Sequence, residues 1–135
     1  MFGQDHAVHR VAREIDPRAV RRKLLKFALS LPQAYEDHPW EEDVAKVGKK
    51  IFVFLGVAKN PATMAMTVKL TDSREQALMA PGAEPTGYGL GRAGWVTIPL
   101  RDTTPPVEVL TDWVEESYRT VAPKRLVAEL DARTG

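Results

Sequence analysis

Residues 50–70 constrain the fold more than any other part of the chain. Lys50–Val57, KIFVFLGV, is dense in β-branched and aromatic residues and reads as a strand. Asn60-Pro61 then marks a turn. Thr63–Leu70 follows, placing Met64, Met66, Val68 and Leu70 on one face and Ala65, Thr67 and Lys69 on the other. A strand that alternates in this way is buried on one face only, so the chain must supply a layer to cover that face.

Helices on either side can supply that layer. Asp16-Pro17 is an N-cap followed by proline at the first helical position, and predicts a helix to about Ser30, before Pro32. Its core stripe is Val20, Leu24, Phe27 and Leu31. A closing helix over about 107–121 carries Val107, Leu110, Val114, Tyr118 and Val121 along one stripe. Pro123 interrupts it, and Arg125–Leu130 adds a last turn or two. Between the helices, Val44–Val47 is a short strand entering a turn at Gly48-Lys49, and Trp95–Leu100 is another strand. Asp72 or Ser73 caps a short helix through about Met79, ended by Pro81-Gly82. The order predicts an α+β fold, a mainly antiparallel sheet with helices packed on one face. The expected organisation is an N-terminal helical extension over residues 1–15, with Val8, Val11, Ala12 and Ile15 on one stripe, and a single domain over 16–135.

Composition removes several functional classes. No apolar run approaches the roughly 18 residues of a membrane span, so no membrane partner is expected. The first residues, MFGQDHAVHRVARE, contain no apolar signal core, and the chain has no cysteine for disulfides, thiol nucleophiles or thiolate metal sites. A cytoplasmic location is expected. The formal net charge is +1, so any case for nucleic acid rests on local clustering. Residues 17–31 carry Arg18, Arg21, Arg22, Lys23 and Lys26 and no acid, whereas residues 107–119 are mainly acidic.

Gly89–Gly94, GLGRAG, matches G-x-G-x-x-G, but its surroundings contradict both phosphate-binding readings of that pattern. A dinucleotide turn needs a strand before it and a helix opening within it, and here the strand WVTIPL follows. A kinase loop needs a strand lysine soon after, and the first lysine after Gly94 is Lys124. The glycines are expected to shape the entry to a strand, with Arg92 presented on the turn. His6 and His9 find no third ligand at a useful spacing, so no metal site and no cofactor are expected. His38 lies in YEDHPW beside Glu36 and Asp37. No catalytic residues emerge, and the chain is expected not to be an enzyme.

Lys49 and Lys50 stand at one strand turn, Lys59 at the next and Arg92 at the glycine turn, while Lys69, Thr67, Trp95 and Thr97 oppose the core positions. Hairpin tips bearing cations can touch DNA phosphates, and an exposed tryptophan can stack on a base. LSLPQAYEDHPW (29–40), DVAKVGKKIFVFLG (43–56), MTVKL (66–70), YGLGRAGWVTIPL (88–100) and EESYRTVAPK (115–124) together resemble the MmcQ/YjbR family of small bacterial proteins. The resemblance implies a compact CyaY-like α+β fold and a DNA-binding role through a double-wing arrangement, with no catalytic activity. It matches Lys49, Lys50, Lys69 and Arg92 to the family's basic motif residues and Trp95 to its tryptophan. Residues 1–15 lie outside the match.

The expected function is therefore non-specific DNA binding by Lys49, Lys50, Lys59, Lys69, Arg92 and Trp95, with Arg18, Arg22 and Lys26 as auxiliary cations. An alternative is a small-ligand or protein-partner pocket lined by Glu36, His38, Trp40, Tyr88 and Tyr118, joined by Arg92 and Trp95. Leu25 and Leu29 point away from the core stripe of their helix. They are expected to receive the apolar stripe of residues 1–15 or a second copy of the chain in a homodimer.

Overall fold

The computed structural model describes residues 16–101 and 104–134, so the expected N-terminal helix lies outside the described residues. Helix α1 is Pro17–Leu29, with the Asp16 carboxylate accepting the Arg18 amide at its N-cap. The strands are β1 (Tyr35–Asp37), β2 (Asp43–Val47), β3 (Lys50–Gly56), β4 (Ala65–Lys69), β5 (Glu84–Pro85) and β6 (Trp95–Pro99). Helix α2 is Arg74–Leu78, α3 is Val107–Val121 and α4 is Lys124–Thr134. The six strands form one antiparallel sheet in the order β1-β2-β3-β4-β6-β5. The fold is α+β, as the pattern predicts.

Directly opposed residues share a face. Val53, Val68 and Val96 therefore line one side of β3, β4 and β6, and Phe54, Thr67 and Thr97 line the other. Leu24 and Ala28 of α1, Ala77 of α2, Leu110, Trp113, Val114 and Tyr118 of α3, and Leu126 and Leu130 of α4 join the valine side in one core. All four described helices thus cover the same face. Helix α3 packs across β3 and β4, and α1 lies beside it over β2 and β3.

Strand β3 is irregular in a way that binds it to the helices. Asp43 pairs with Gly56 but Val44 with Phe54, and Ala45 pairs with Val53 but Lys46 with Ile51. Leu55 and Phe52 are thus each the extra residue of a bulge, and both side chains enter the core. A bulge leaves backbone groups outside the ladder, and these must find other partners. Ser117 of α3 donates its hydroxyl to the Phe52 carbonyl. Arg21 of α1 donates Nε to the Leu55 carbonyl at 3.0 Å and Nη2 to the Gly56 carbonyl at 2.8 Å. Arg21 also pairs with Asp43 at 2.6 Å and is buried. One member of the basic run in α1 therefore serves the architecture.

Three expectations differ from what forms. Helix α4 runs for 11 residues, well beyond a turn or two. Ser73 makes no side-chain cap to α2; instead Glu116 of α3 accepts the amides of Thr71, Asp72 and Ser73 on one oxygen and the Ser73 hydroxyl on the other. Burial works against the charge on Glu116, but those donors outweigh it and hold its carboxyl below the ordinary glutamate value. Finally, β1 and β5 close the two edges of the sheet, where the sequence gives no strand signal.

Candidate nucleic-acid interface

The alternating strand directions sort the candidate residues onto two ends of the sheet. The Gly48-Lys49 turn, Lys50, Lys69 and Trp95 lie at one end, because β2 and β4 finish there and β3 and β6 begin there. Arg92 belongs to that end, since it lies in the 3-10 turn Leu90–Ala93 immediately before β6. Lys59 lies at the opposite end, in the connection between β3 and β4. Its neighbour Ala58 lines a small hollow of ≈ 110 Å³ with Arg18, Arg21, Arg22 and Met64. The expected basic set is therefore two groups: Lys49, Lys50, Lys69 and Arg92 at one end, and Lys59, Arg18 and Arg22 at the other. Lys26 lines a hollow of ≈ 490 Å³ on the helix layer with Arg22, Leu25, Leu29 and Ser30. Leu25 and Leu29 are half-buried and pack against the core.

Lys69 and Trp95 stand directly opposite each other on the face that the described helices leave uncovered. Both are half-buried. The Trp95 ring meets Phe54 edge to face, with centroids 5.4 Å apart, which holds the indole against the sheet. Below them the hydroxyls of Thr67, Thr97 and Thr86 form a hydrogen-bonded chain, with Thr97 at 2.9 Å from Thr67 and 3.0 Å from Thr86. Two acids temper this surface. Glu84 pairs with Thr97 at the β5 edge, and Asp72 is exposed just beyond Leu70.

The glycine stretch performs the structural role expected of it. Gly91 is buried, and a Cβ there would come within 2.7 Å of the Pro85 side chain. Gly94 has φ +102°, and a Cβ would lie 2.7 Å from the Leu70 carbonyl oxygen. The loop thus packs tightly against the β5 approach and the end of β4, and the Gly94 carbonyl accepts the Leu70 amide at 2.9 Å. Its rim projects Arg92 and Tyr88, the latter fully exposed at 105% with φ 58°.

The residues of the alternative pocket do not come together. Tyr118 is wholly buried in the core, donating its hydroxyl to the Pro32 carbonyl at 2.7 Å and packing edge to face on Phe52. Tyr88 stands at the Lys69 end, while Trp40, 86% exposed, lies in the β1–β2 connection at the Gly56 end. Glu36 and His38 do meet, and Asp43, which the sequence does not single out, joins them. His38 Nδ1 lies 2.7 Å from Asp43 Oδ1, and Nε2 lies 3.4 Å from Glu36 Oε2. Partial burial opposes the charge on Asp43, yet hydrogen bonds from Arg21 and His38 prevail and hold its carboxyl low.

No curated protein matches the chain. Among solved structures it is similar to the crystal structure of Deinococcus radiodurans protein DR2400, described as a DUF419 domain. The two share 27% sequence identity at a TM-score of 0.59, over 71% of this chain and 73% of that one. The family model named YjbR matches residues 29–120, which take in the whole sheet and all but the last residue of α3, and the chain belongs to the YjbR family.

Proposed function

We propose that this protein binds DNA without catalysing a reaction, through the end of the sheet that carries Lys49, Lys50, Lys69 and Arg92, and that it does so in the bacterial cytoplasm. The observation that supports this reading is the register of β4 with β6. It sets Lys69 beside Trp95 on the face opposite the described helices, at the same end as the Lys49-Lys50 turn and Arg92. Cations on a turn and a loop can straddle a backbone while the aromatic residue between them offers a surface for a base or sugar. Nothing in this arrangement reads base identity, so the binding is non-specific. Lys59 and the α1 cations face elsewhere and take no part.

A salt titration of duplex-DNA binding tests the reading. With about four phosphates neutralised, affinity falls roughly a hundredfold between about 50 and 200 mM salt. That slope is shallower than the roughly thousandfold loss that about six contacts would give, more than this end of the sheet can supply. Absence of binding at low salt, or affinity indifferent to salt, would overturn it.

A further inference from the structure

The geometry at the Gly56 end of the sheet carries a separate inference. Glu36 lies in the edge strand β1 and His38 just past its end, and the His38 ring turns back to meet the Glu36 carboxylate. Asp43 opens β2 beside them, and its two oxygens are already committed. Oδ2 accepts from Arg21 and Oδ1 accepts from His38 Nδ1. With Nδ1 as the donor, the lone pair of the neutral ring lies on Nε2, which faces Glu36 Oε2 at 3.4 Å. That separation is long for a direct charge-assisted hydrogen bond, which runs about 2.7–2.9 Å. It is, however, the spacing of two ligands on one metal ion. Donors 3.4 Å apart with bonds of about 2.1 Å subtend roughly 110°, close to the tetrahedral angle.

We propose that His38 Nε2 and Glu36 form a surface site for a first-row divalent cation such as Zn²⁺, with Asp43 as the positioning residue for the imidazole. A carboxylate on the far nitrogen of a liganding histidine sets its tautomer and raises its basicity. Here the carboxylate is itself held by Arg21, which is anchored on the Leu55 and Gly56 carbonyls. One imidazole and one carboxylate suit zinc, cobalt or nickel better than calcium or magnesium. The His38 side chain is 57% exposed, which leaves room for waters to complete the shell. This site stands at the opposite end of the sheet from the proposed DNA surface, and neither depends on the other.

The test is calorimetric titration of Zn²⁺ into the full chain carrying His6→Ala and His9→Ala, the chain's other histidines. Paramagnetic broadening of backbone amides by Co²⁺ would be followed in parallel. One equivalent of zinc is expected, with broadening centred on residues 36–43. Uptake should be lost in His38→Ala and in Glu36→Gln, and weakened about 10–100-fold in Asp43→Asn. A circular-dichroism spectrum for each variant would show that the fold survives. No uptake by the parent, or uptake undiminished in His38→Ala, would overturn the site. Affinity unchanged in Asp43→Asn would overturn the role given to Asp43.

Discussion

The hydroxyl of Ser117 accepts the backbone N–H of Lys69 at 2.8 Å while donating its own proton to the Phe52 carbonyl. One small side chain on α3 thus satisfies the bulge of β3 and fixes the end of β4, where the central cation of the proposed interface stands. Both partners are backbone groups with no alternative in the ladder. Ser117→Ala should destabilise the protein by about 2 kcal/mol, because it leaves a part-buried donor and a buried acceptor unmet. In urea unfolding the midpoint should fall with an unchanged slope.

Arg21 makes an analogous bridge at the other end, from α1 to two carbonyls and a carboxylate. Arg21→Met should cost about 3 kcal/mol, since Asp43 and both carbonyls lose their partner together. Arg21→Lys should recover little of this. A point charge on a flexible stem cannot reproduce the fork that spans the three acceptors. Thermal unfolding of the two variants side by side measures the difference.

Two glycines of the 89–94 stretch should respond differently to alanine. Gly89 has φ +79° but open space around it, so Gly89→Ala should cost about 1 kcal/mol of backbone strain. Gly94 combines φ +102° with a carbonyl oxygen 2.7 Å from the added carbon. Gly94→Ala should cost about 3 kcal/mol and disturb the Leu70 amide in hydrogen-exchange measurements.

Acid should loosen the contact between α3 and the turn before α2. The Glu116 carboxyl is held below its ordinary value of 4.5, so the unfolded chain takes up this proton first as pH falls. The stabilisation is therefore complete above that value and is lost as pH drops through the lower folded one. Glu116→Gln should flatten this part of the acid limb in a pH series of urea midpoints. Asp43, also held low, contributes a second loss of the same sign.

Within the proposed interface, the two basic groups make a controlled comparison. Lys69→Gln should reduce the slope of log affinity against log salt by about 0.9, whereas Lys59→Gln should leave it unchanged. Fluorescence anisotropy of a labelled duplex provides both slopes. Equal effects of the two substitutions would mean that the sheet ends do not act separately.

Much of this fold is written in periodicity. The Met64–Leu70 alternation and the stripes of α1 and α3 name their own core faces, because burial is a local pattern repeated many times. Strands β1 and β5 are too short to show a period, and they exist through pairing with β2 and β6. The same limit applies to the sites. Alternation places Lys69 and Trp95 on one face, yet only the register tells which cations share an end with them. It sends Lys59 away. Asp43 joins His38 and Glu36 through the return of the chain into β2, which no sequence spacing encodes. Tyr118 is spent in the core because its stripe on α3 faces Phe52.

The brevity of the edge strands has a consequence for how this protein meets other chains. Strand β1 offers three residues, and β5 offers two, one of which is Pro85 and has no amide to donate. An incoming β-segment would therefore find almost no template at either margin. Among the described residues, the sheet margins thus give strand addition, a common route to both peptide recognition and aggregation, little to build on. What the described sheet presents to a partner is instead its broad surfaces, its helices and the loops at its ends.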